Sequence, residues 1–512
     1  MPRTKTREQG RADSFVPRSL LSWPDQKTSA KTNPLATVIR GWFLCTILMV
    51  GPWATGDWRE DQRQSILHGV QAVLMCNGLF TSHRSLDAVF AQELALLRPP
   101  RFDPALGTAS EGPYRIDQAR KTVTVGTQAP RSAVSAVFRD GFGCVVLPPG
   151  QLPTDDVLGS LPVGPGLEES PSFSEEIWPF GDQVTIVQSE TVNAEALKAA
   201  GDWAFNLENP EQVTTSLLIT SQDAMIYERY APGFDANTRQ RTWSVAKSIA
   251  ATLIGQRVQS KHLALDSPLN VDFLPKLKNS ELDPRGSITL RQVLNMSSGL
   301  EPVDNSGMEY QNGSGLAYWA GDSASVAARS RGLVRMPGSY WDYENYETLL
   351  AVDALKQTFK STENYLAFPR QALLDPLGMK RTLIGVDRFG DFILSSQVYS
   401  SARDLARFGL LHLAGGLWGD QRLVSEDWIE FVRSPAPAPN NPKQLNGGHW
   451  WLVPSDRFDV PKDAYCAAGH RGQFVIVVPS KELVIVRRGL DFGRQGFDHW
   501  DLTREILKAF EA

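Results

Sequence analysis

The chain has 512 residues, 42% hydrophobic and 21% charged, with 14 tryptophans, enough to bury one large core or two moderate ones. Its formal net charge is −5, and no dense Lys/Arg stripe occurs beyond the N-terminal tail, which argues against a nucleic-acid partner. The four cysteines are widely spaced with no C-x-x-C, and H-E-x-x-H, G-x-x-x-x-G-K, G-x-G-x-x-G and G-x-S-x-G are absent, so zinc frameworks, zincins, P-loop NTPases, dinucleotide enzymes and nucleophile-elbow hydrolases all fit poorly.

Residues 1–60 read as a polar, basic, disordered tail followed by an export segment. Within it, GWFLCTILMVGPW (41–53) lies behind Arg40 and is short for a spanning helix. It has the length of a signal-peptide hydrophobic region, and the positive charge before it favours export or an uncleaved inner-membrane anchor, with a plain buried helix as the alternative. The expectation is therefore an exported, periplasmic or membrane-anchored protein, with a cytoplasmic one the alternative. Residues 61–148 read as a small α+β module. Two helices are expected around Ile66–Met75 and Leu86–Leu97, then a hairpin over YRIDQARKTVTVGT (114–127) and further strand over 132–148. Cys76 and Cys144 could pair in an oxidising compartment. Residues 149–189, rich in Pro, Gly, Ser and acids, read as a linker.

A second region spans 190–512. A helix over Ala194–Asn206 leads to TTSLLITSQDAMIYERY, two strands around a turn at Ser221–Asp223. RTWSVAKSIAATLIGQ (241–256) follows, with Ile249, Ala250, Leu253 and Ile254 at helical spacing. ITLRQVLNMSSGL (288–300) is expected to be a helix stopped at Gly299, and a glycine-rich loop follows over 302–323. Two amphipathic helices come next, then strands at HWWLVP, QFVIVVP and LVIVRRG, and a closing helix over 499–511. Strands at both ends of a mostly helical middle predict one sheet whose first and last strands meet.

Three stretches carry chemistry. Ser244 and Lys247, three apart, share one side of a buried helix start. A serine hydroxyl becomes a good nucleophile when a base takes its proton. A lysine can be that base once its pKa falls from ~10.4 to near neutrality, a difference of about 4 kcal/mol. Tyr343 and Asn345 lie two apart just before a helix, where a tyrosine beside an ammonium can relay the serine proton. Tyr310-Gln311-Asn312 competes for that role, but no helix start follows it; Tyr310 is left as a wall of the pocket. In Gly469-His470-Arg471-Gly472-Gln473, small residues at a strand start let a backbone N–H reach a substrate oxygen, and the N–H groups of Gln473 and Ser244 are the candidate oxyanion donors.

In the order Ser-x-x-Lys, Tyr-x-Asn, His-x-Gly, these stretches resemble the serine β-lactamase and penicillin-recognising family, in its class C-related branch. WSVAKS, NMSSGL, GHRGQ and YSSARDLARFGLLHLAGGLW look closest to 6-aminohexanoate-dimer hydrolases. The resemblance covers about 190 to the C-terminus. It implies an α+β fold, an antiparallel sheet flanked by helices plus an all-helical subdomain, here preceded by the small α+β module. It also implies an acyl-enzyme on Ser244, Lys247 and Tyr343 as the base pair, Asn345 as a substrate or lysine contact, Tyr310 as an amide contact, and neither metal nor cofactor. The expected substrate is a small amide or ester; a penicillin-recognising or peptidoglycan-binding module with little turnover is the alternative. Enzymes of this kind carry Lys-Thr-Gly where this chain has His470-Arg471-Gly472, so poor β-lactam turnover is expected, with His470 donating toward the substrate carbonyl.

Overall fold

A computed structural model describes residues 58–99, 102–165, 175–188, 190–304, 313–438, 440–441, 443, 445–493 and 495–510. The apolar run at 41–53 and Tyr310 lie outside the described residues. No helix among those described is long and apolar enough to cross a membrane.

The module opens with a helix over Trp58–Cys76, longer than the apolar spacing alone predicts because Glu60 and Asp61 suit the first turn. The second expected helix is broken into short turns over Leu86–Ala88, Val89–Glu93 and Leu94–Leu96. Four antiparallel strands follow in order: β1 (Tyr114–Asp117), β2 (Thr122–Val125), β3 (Val134–Arg139) and β4 (Gly143–Val146). Val123, Val125, Val134 and Ala136 are buried with Ile66, Val70 and Val73 of the long helix in one apolar cluster. Cys76 at the end of that helix is disulfide-bonded to Cys144 of β4, across a sequence separation of 68. Closing a loop of that length restricts the unfolded chain by about 4 kcal/mol.

The principal sheet begins with β5 (Thr214–Ser221) and β6 (Ala224–Tyr230), joined at Gln222, whose φ of 54° makes the tight turn. Short strands β7 (Gln240–Arg241), β8 (Leu383–Ile384) and β9 (Val398–Ser400) form a three-stranded sheet beside it, and β10 (Leu417–Trp418) pairs with β11 (Gln421–Arg422). The chain then returns through β12 (Trp451–Leu452), β13 (Tyr465–Gly469), β14 (Gln473–Val478) and β15 (Leu483–Gly489), giving the order β12-β13-β14-β15-β5-β6. β15 pairs antiparallel with β5, so the last strand meets the first. Side chains alternate between two layers, as the pleat requires. Leu217, Ile219, Ile476 and Ile485 pack with the helices Ala194–Phe205 and His499–Leu507. Leu218, Val475, Val477, Val484 and Val486 pack with the helices Val245–Gln259 and Ala402–Leu413 on the other face. A helical region made of Leu290–Leu294, Gly315–Trp319, Ala324–Arg329, Asn345–Lys356 and Thr362–Pro369 lies between β7 and β8 in sequence. The first of these ends before Gly299, because Met296 adopts a left-handed φ of 54° and turns the chain.

Candidate active site

Ser244 stands at the start of the helix Val245–Gln259, half-exposed at the floor of a cleft of about 290 Å³. The residue before it, Trp243, has φ +50°, a conformation that costs a bulky side chain on the order of 1–2 kcal/mol. The Arg241 guanidinium stacks 3.9 Å from the Trp243 ring and the His470 ring meets it edge-on at 5.1 Å, so the turn that presents Ser244 is clamped from both sides.

Lys247, one helical turn on, is 2% exposed. Its Nζ lies 3.1 Å from Ser244 Oγ, 2.6 Å from Asn345 Oδ1 and 2.8 Å from the Ser395 carbonyl. The Tyr343 ring centroid is 5.0 Å from the same nitrogen, and the ring stacks on Trp451. Asn345 begins the helix Asn345–Lys356, and its Nδ2 donates to Asp304 Oδ2 at 2.8 Å, which fixes Oδ1 toward the lysine. Ser244, Tyr343 and Asn345, spread over a hundred residues, thus line the cleft, and Lys247 lines a smaller adjoining pocket with Ser244 and Tyr343.

The far side of the cleft is the end of β13. Ala468, Gly469 and His470 line it. A Cβ at Gly469 would lie 2.3 Å from Thr242 O and 3.1 Å from Ser244 N, so only glycine lets the two backbones approach this closely. Gln473 and Gly472 are not there, which corrects the expectation placed on them. Residues 469–473 form the tip of a hairpin in which Gly469 ends β13, Gln473 opens β14 as expected, and the two pair. Gln473 is 1% exposed; its Nε2 donates to the carbonyls of Arg471 and Gly489, and its Oε1 accepts from Arg488 Nε at 2.7 Å. Gly472 faces the Arg487–Asp491 ion pair. Arg471 also turns away from the cleft, its donors going to the carbonyls of Gln92, Glu93, Leu490 and Asp491. The strand residue that faces the cleft ahead of Gly469 is Ala468.

A family model described as Beta-lactamase matches residues 208–489, more than half of the chain. The chain belongs to the beta-lactamase family. Its fold is the β-lactamase/transpeptidase-like α+β arrangement. It is 25% identical over 294 residues to the 6-aminohexanoate-dimer hydrolase of Paenarthrobacter ureafaciens, covering 54% of this chain and 72% of that protein. Among solved structures it is similar to a D-stereospecific amidohydrolase from Streptomyces sp., with 16% identity, a TM-score of 0.46, and coverage of 62% of this chain and 98% of that one. It is also similar to a beta-lactamase from Mycobacterium bovis, with 16% identity, a TM-score of 0.42, and coverage of 62% and 99%.

The cleft of this beta-lactamase-family chain includes residues that its motifs do not announce. Tyr318 and Trp319, from the helix Gly315–Trp319, and Ser396 all line it, and the Tyr318 hydroxyl is hydrogen-bonded to Ser395 Oγ. Their sequence signal is no more than an aromatic pair behind a glycine-rich loop. Behind Asn345 lies a buried acid pair. Glu344 is 1% exposed, its Oε2 accepts from the N–H groups of Val303 and Asp304, and burial followed by the neighbouring Asp304 pushes its carboxyl up to about 8. Burial likewise raises Asp353 to about 6 and holds His412 and His449 down at about 3.

The signs give a stability profile. Acids with raised folded pKa values stabilise the fold below their unfolded values and lose that contribution as pH rises through the folded ones. Histidines with depressed values stabilise it above about 6.5 and lose that contribution as pH falls toward 3. The thermal midpoint is therefore expected to be highest in mildly acidic buffer and to fall between about pH 6.5 and pH 8.5. Glu344→Gln, which keeps the acceptor oxygen without the charge, should flatten the alkaline fall in a calorimetric pH series; an unchanged slope would mean that Glu344 does not ionise in that window.

Proposed function

We propose that this chain is a serine hydrolase that cleaves an amide or ester through an acyl-enzyme on Ser244. The observation that carries the reading is Lys247 Nζ, held by Asn345 Oδ1 and the Ser395 carbonyl at 3.1 Å from Ser244 Oγ. Ser244 Oγ attacks the carbonyl carbon while its proton passes to neutral Lys247, with Tyr343 beside it as the second member of the acid/base pair. The oxyanion is assigned the backbone N–H of Ser244, which the close approach at Gly469 brings beside β13, and that of His470, the next residue of the cleft wall. The leaving amine or alcohol takes the proton back, and water then attacks the acyl ester by the same relay.

The cleft wall supports uncharged acyl groups as substrates. Trp243, Tyr318, Trp319, Tyr343 and Trp451 supply apolar area, and among the described lining residues none is Asp, Glu or Arg. A substrate carboxylate would lose its hydration against these aromatic faces, which is costly. The Cys76–Cys144 disulfide fits the export proposed for this chain, since such bonds persist in an oxidising compartment.

The test combines a label and a matched pair of substrates. A fluorophosphonate probe should modify Ser244, located by peptide mass. p-Nitrophenyl butyrate should be turned over with kcat/KM at least tenfold above that of the p-nitrophenyl monoester of succinate, which differs by a terminal carboxylate. No labelling at Ser244 would remove the acyl-enzyme; equal turnover of the pair would remove the preference for neutral acyl groups.

A further inference from the structure

The family match begins at residue 208, leaving the module of residues 58–146 outside it, yet that module is built into the back of the cleft. The contact centres on Arg471, the residue after His470. Its side chain is 0% exposed and spends its donors on four main-chain carbonyls. Two belong to the module: Glu93 O at 3.0 Å from Nη1 and Gln92 O at 2.7 Å from Nη2. Two belong to the segment after β15: Asp491 O at 2.9 Å from Nε and Leu490 O at 3.0 Å from Nη2. The Glu93 carboxylate sits 3.5 Å from Nη1. Arg471 has φ +61° and Gly472 φ +76°, so the hairpin tip is held in a conformation that a side chain resists and that these bonds stabilise.

The module also abuts the opposite wall. A Cβ at Gly69 of its long helix would fall 1.7 Å from the Trp319 carbonyl oxygen, a backbone-to-backbone approach that fixes the helix carrying Tyr318 and Trp319. A second close approach joins Gly321 to the Leu147–Pro148 backbone. The module therefore touches both walls of the cleft, one through Arg471 and one through Trp319.

We propose that the N-terminal module is a fixed support of the active site, and that Arg471 is the positioning residue through which it aims the His470 N–H at the oxyanion. The proposal rests on the reading of Ser244 and His470 given above. A guanidinium suits the task because its planar fork satisfies several carbonyls at once; an ammonium on a flexible stem reaches fewer. Arg471 touches no substrate, so its effect must appear as a loss of transition-state stabilisation and not of binding.

Arg471→Met and Arg471→Lys separate these possibilities, assayed on a p-nitrophenyl ester at least ten degrees below each variant's thermal midpoint. Complete loss of an oxyanion donor lowers kcat by about 10²–10³. Misdirecting one should lower kcat tenfold or more in Arg471→Met, with KM within about twofold of wild type and Arg471→Lys in between. The decisive readout is the rate ratio between an oxo ester and its thiono analogue. That ratio reports hydrogen bonding to the developing oxyanion and should fall toward one in the variants, which general loosening of the fold would not produce. If Arg471→Met does not fold, Arg471→Lys alone decides. A folded variant with wild-type kcat and an unchanged oxo/thiono ratio overturns the proposal. Wild-type enzyme with no Ser244-dependent ester turnover would instead overturn the underlying reading of the site, and the wild-type arm shows that separately.

Discussion

Ser244→Ala is expected to lower kcat on a p-nitrophenyl ester by about five to six orders of magnitude, the scale on which a nucleophilic serine acting as part of a unit is lost. The same substitution should leave the fold intact. Ser244 occupies the N-cap position of the helix Val245–Gln259, but its side chain makes no cap hydrogen bond, so the usual N-cap penalty does not arise. Its hydroxyl is placed by Lys247 Nζ at 3.1 Å, and the strained turn at Trp243 is held by Arg241 and His470 and not by the hydroxyl. The one hydrogen bond lost, from Lys247 Nζ, leaves that nitrogen its acceptors Asn345 Oδ1 and the Ser395 carbonyl, so the thermal midpoint should shift only slightly. The pair of measurements is what discriminates: near-total loss of turnover with an unshifted midpoint assigns Ser244 to chemistry. A variant that keeps a tenth of wild-type kcat would show that another group, or water, attacks the carbonyl.

The half of the site on helix starts was legible in the sequence, and the half on backbone was not. Ser244, Lys247, Tyr343 and Asn345 declare themselves because helical spacing and a loop-to-helix junction fix where such side chains point. The structure places Ser244, Tyr343 and Asn345 in the cleft and hydrogen-bonds Lys247 to Ser244 and Asn345. The oxyanion side depends on β13, whose sequence Tyr-Cys-Ala-Ala-Gly has weak β propensity and no polar alternation to mark it as a strand. With β13 unseen, GHRGQ reads only as the opening of β14, and the donor is assigned to Gln473, which does not line the cleft. Once β13 is in place the same residues become a hairpin tip, and Gly469 and His470 move to the cleft. The central strands β5, β14 and β15 were readable from their apolar runs, as was the meeting of β15 with β5 from their positions at the two ends of the domain. The attachment of the module was not, because it depends on an arginine meeting main-chain carbonyls almost four hundred residues away, for which no local pattern exists.

Lys247→Met should lower kcat by about 10³–10⁴, the upper range for a positioned general base. The methionine roughly fills the lysine's volume, so the packing around it changes little. Two buried acceptors, Asn345 Oδ1 and the Ser395 carbonyl, lose their donor, each at about 1–3 kcal/mol. Removing an amine that is 2% exposed offsets part of that loss, because its charged form is costly to bury. Stability should thus fall by less than the two broken hydrogen bonds suggest, and the midpoint shift would be the check on this balance. Lys247→Arg separates a base from a fixed charge. Arginine keeps a cation near Asn345 and Ser395 but does not deprotonate in proteins, so a base role predicts that it is as inactive as methionine. A purely electrostatic role predicts that Arg retains a tenth or more of wild-type kcat where Met does not. In that case the proton of Ser244 must go to Tyr343, whose ring lies 5.0 Å from the Lys247 nitrogen, and Tyr343→Phe would then inherit the larger loss.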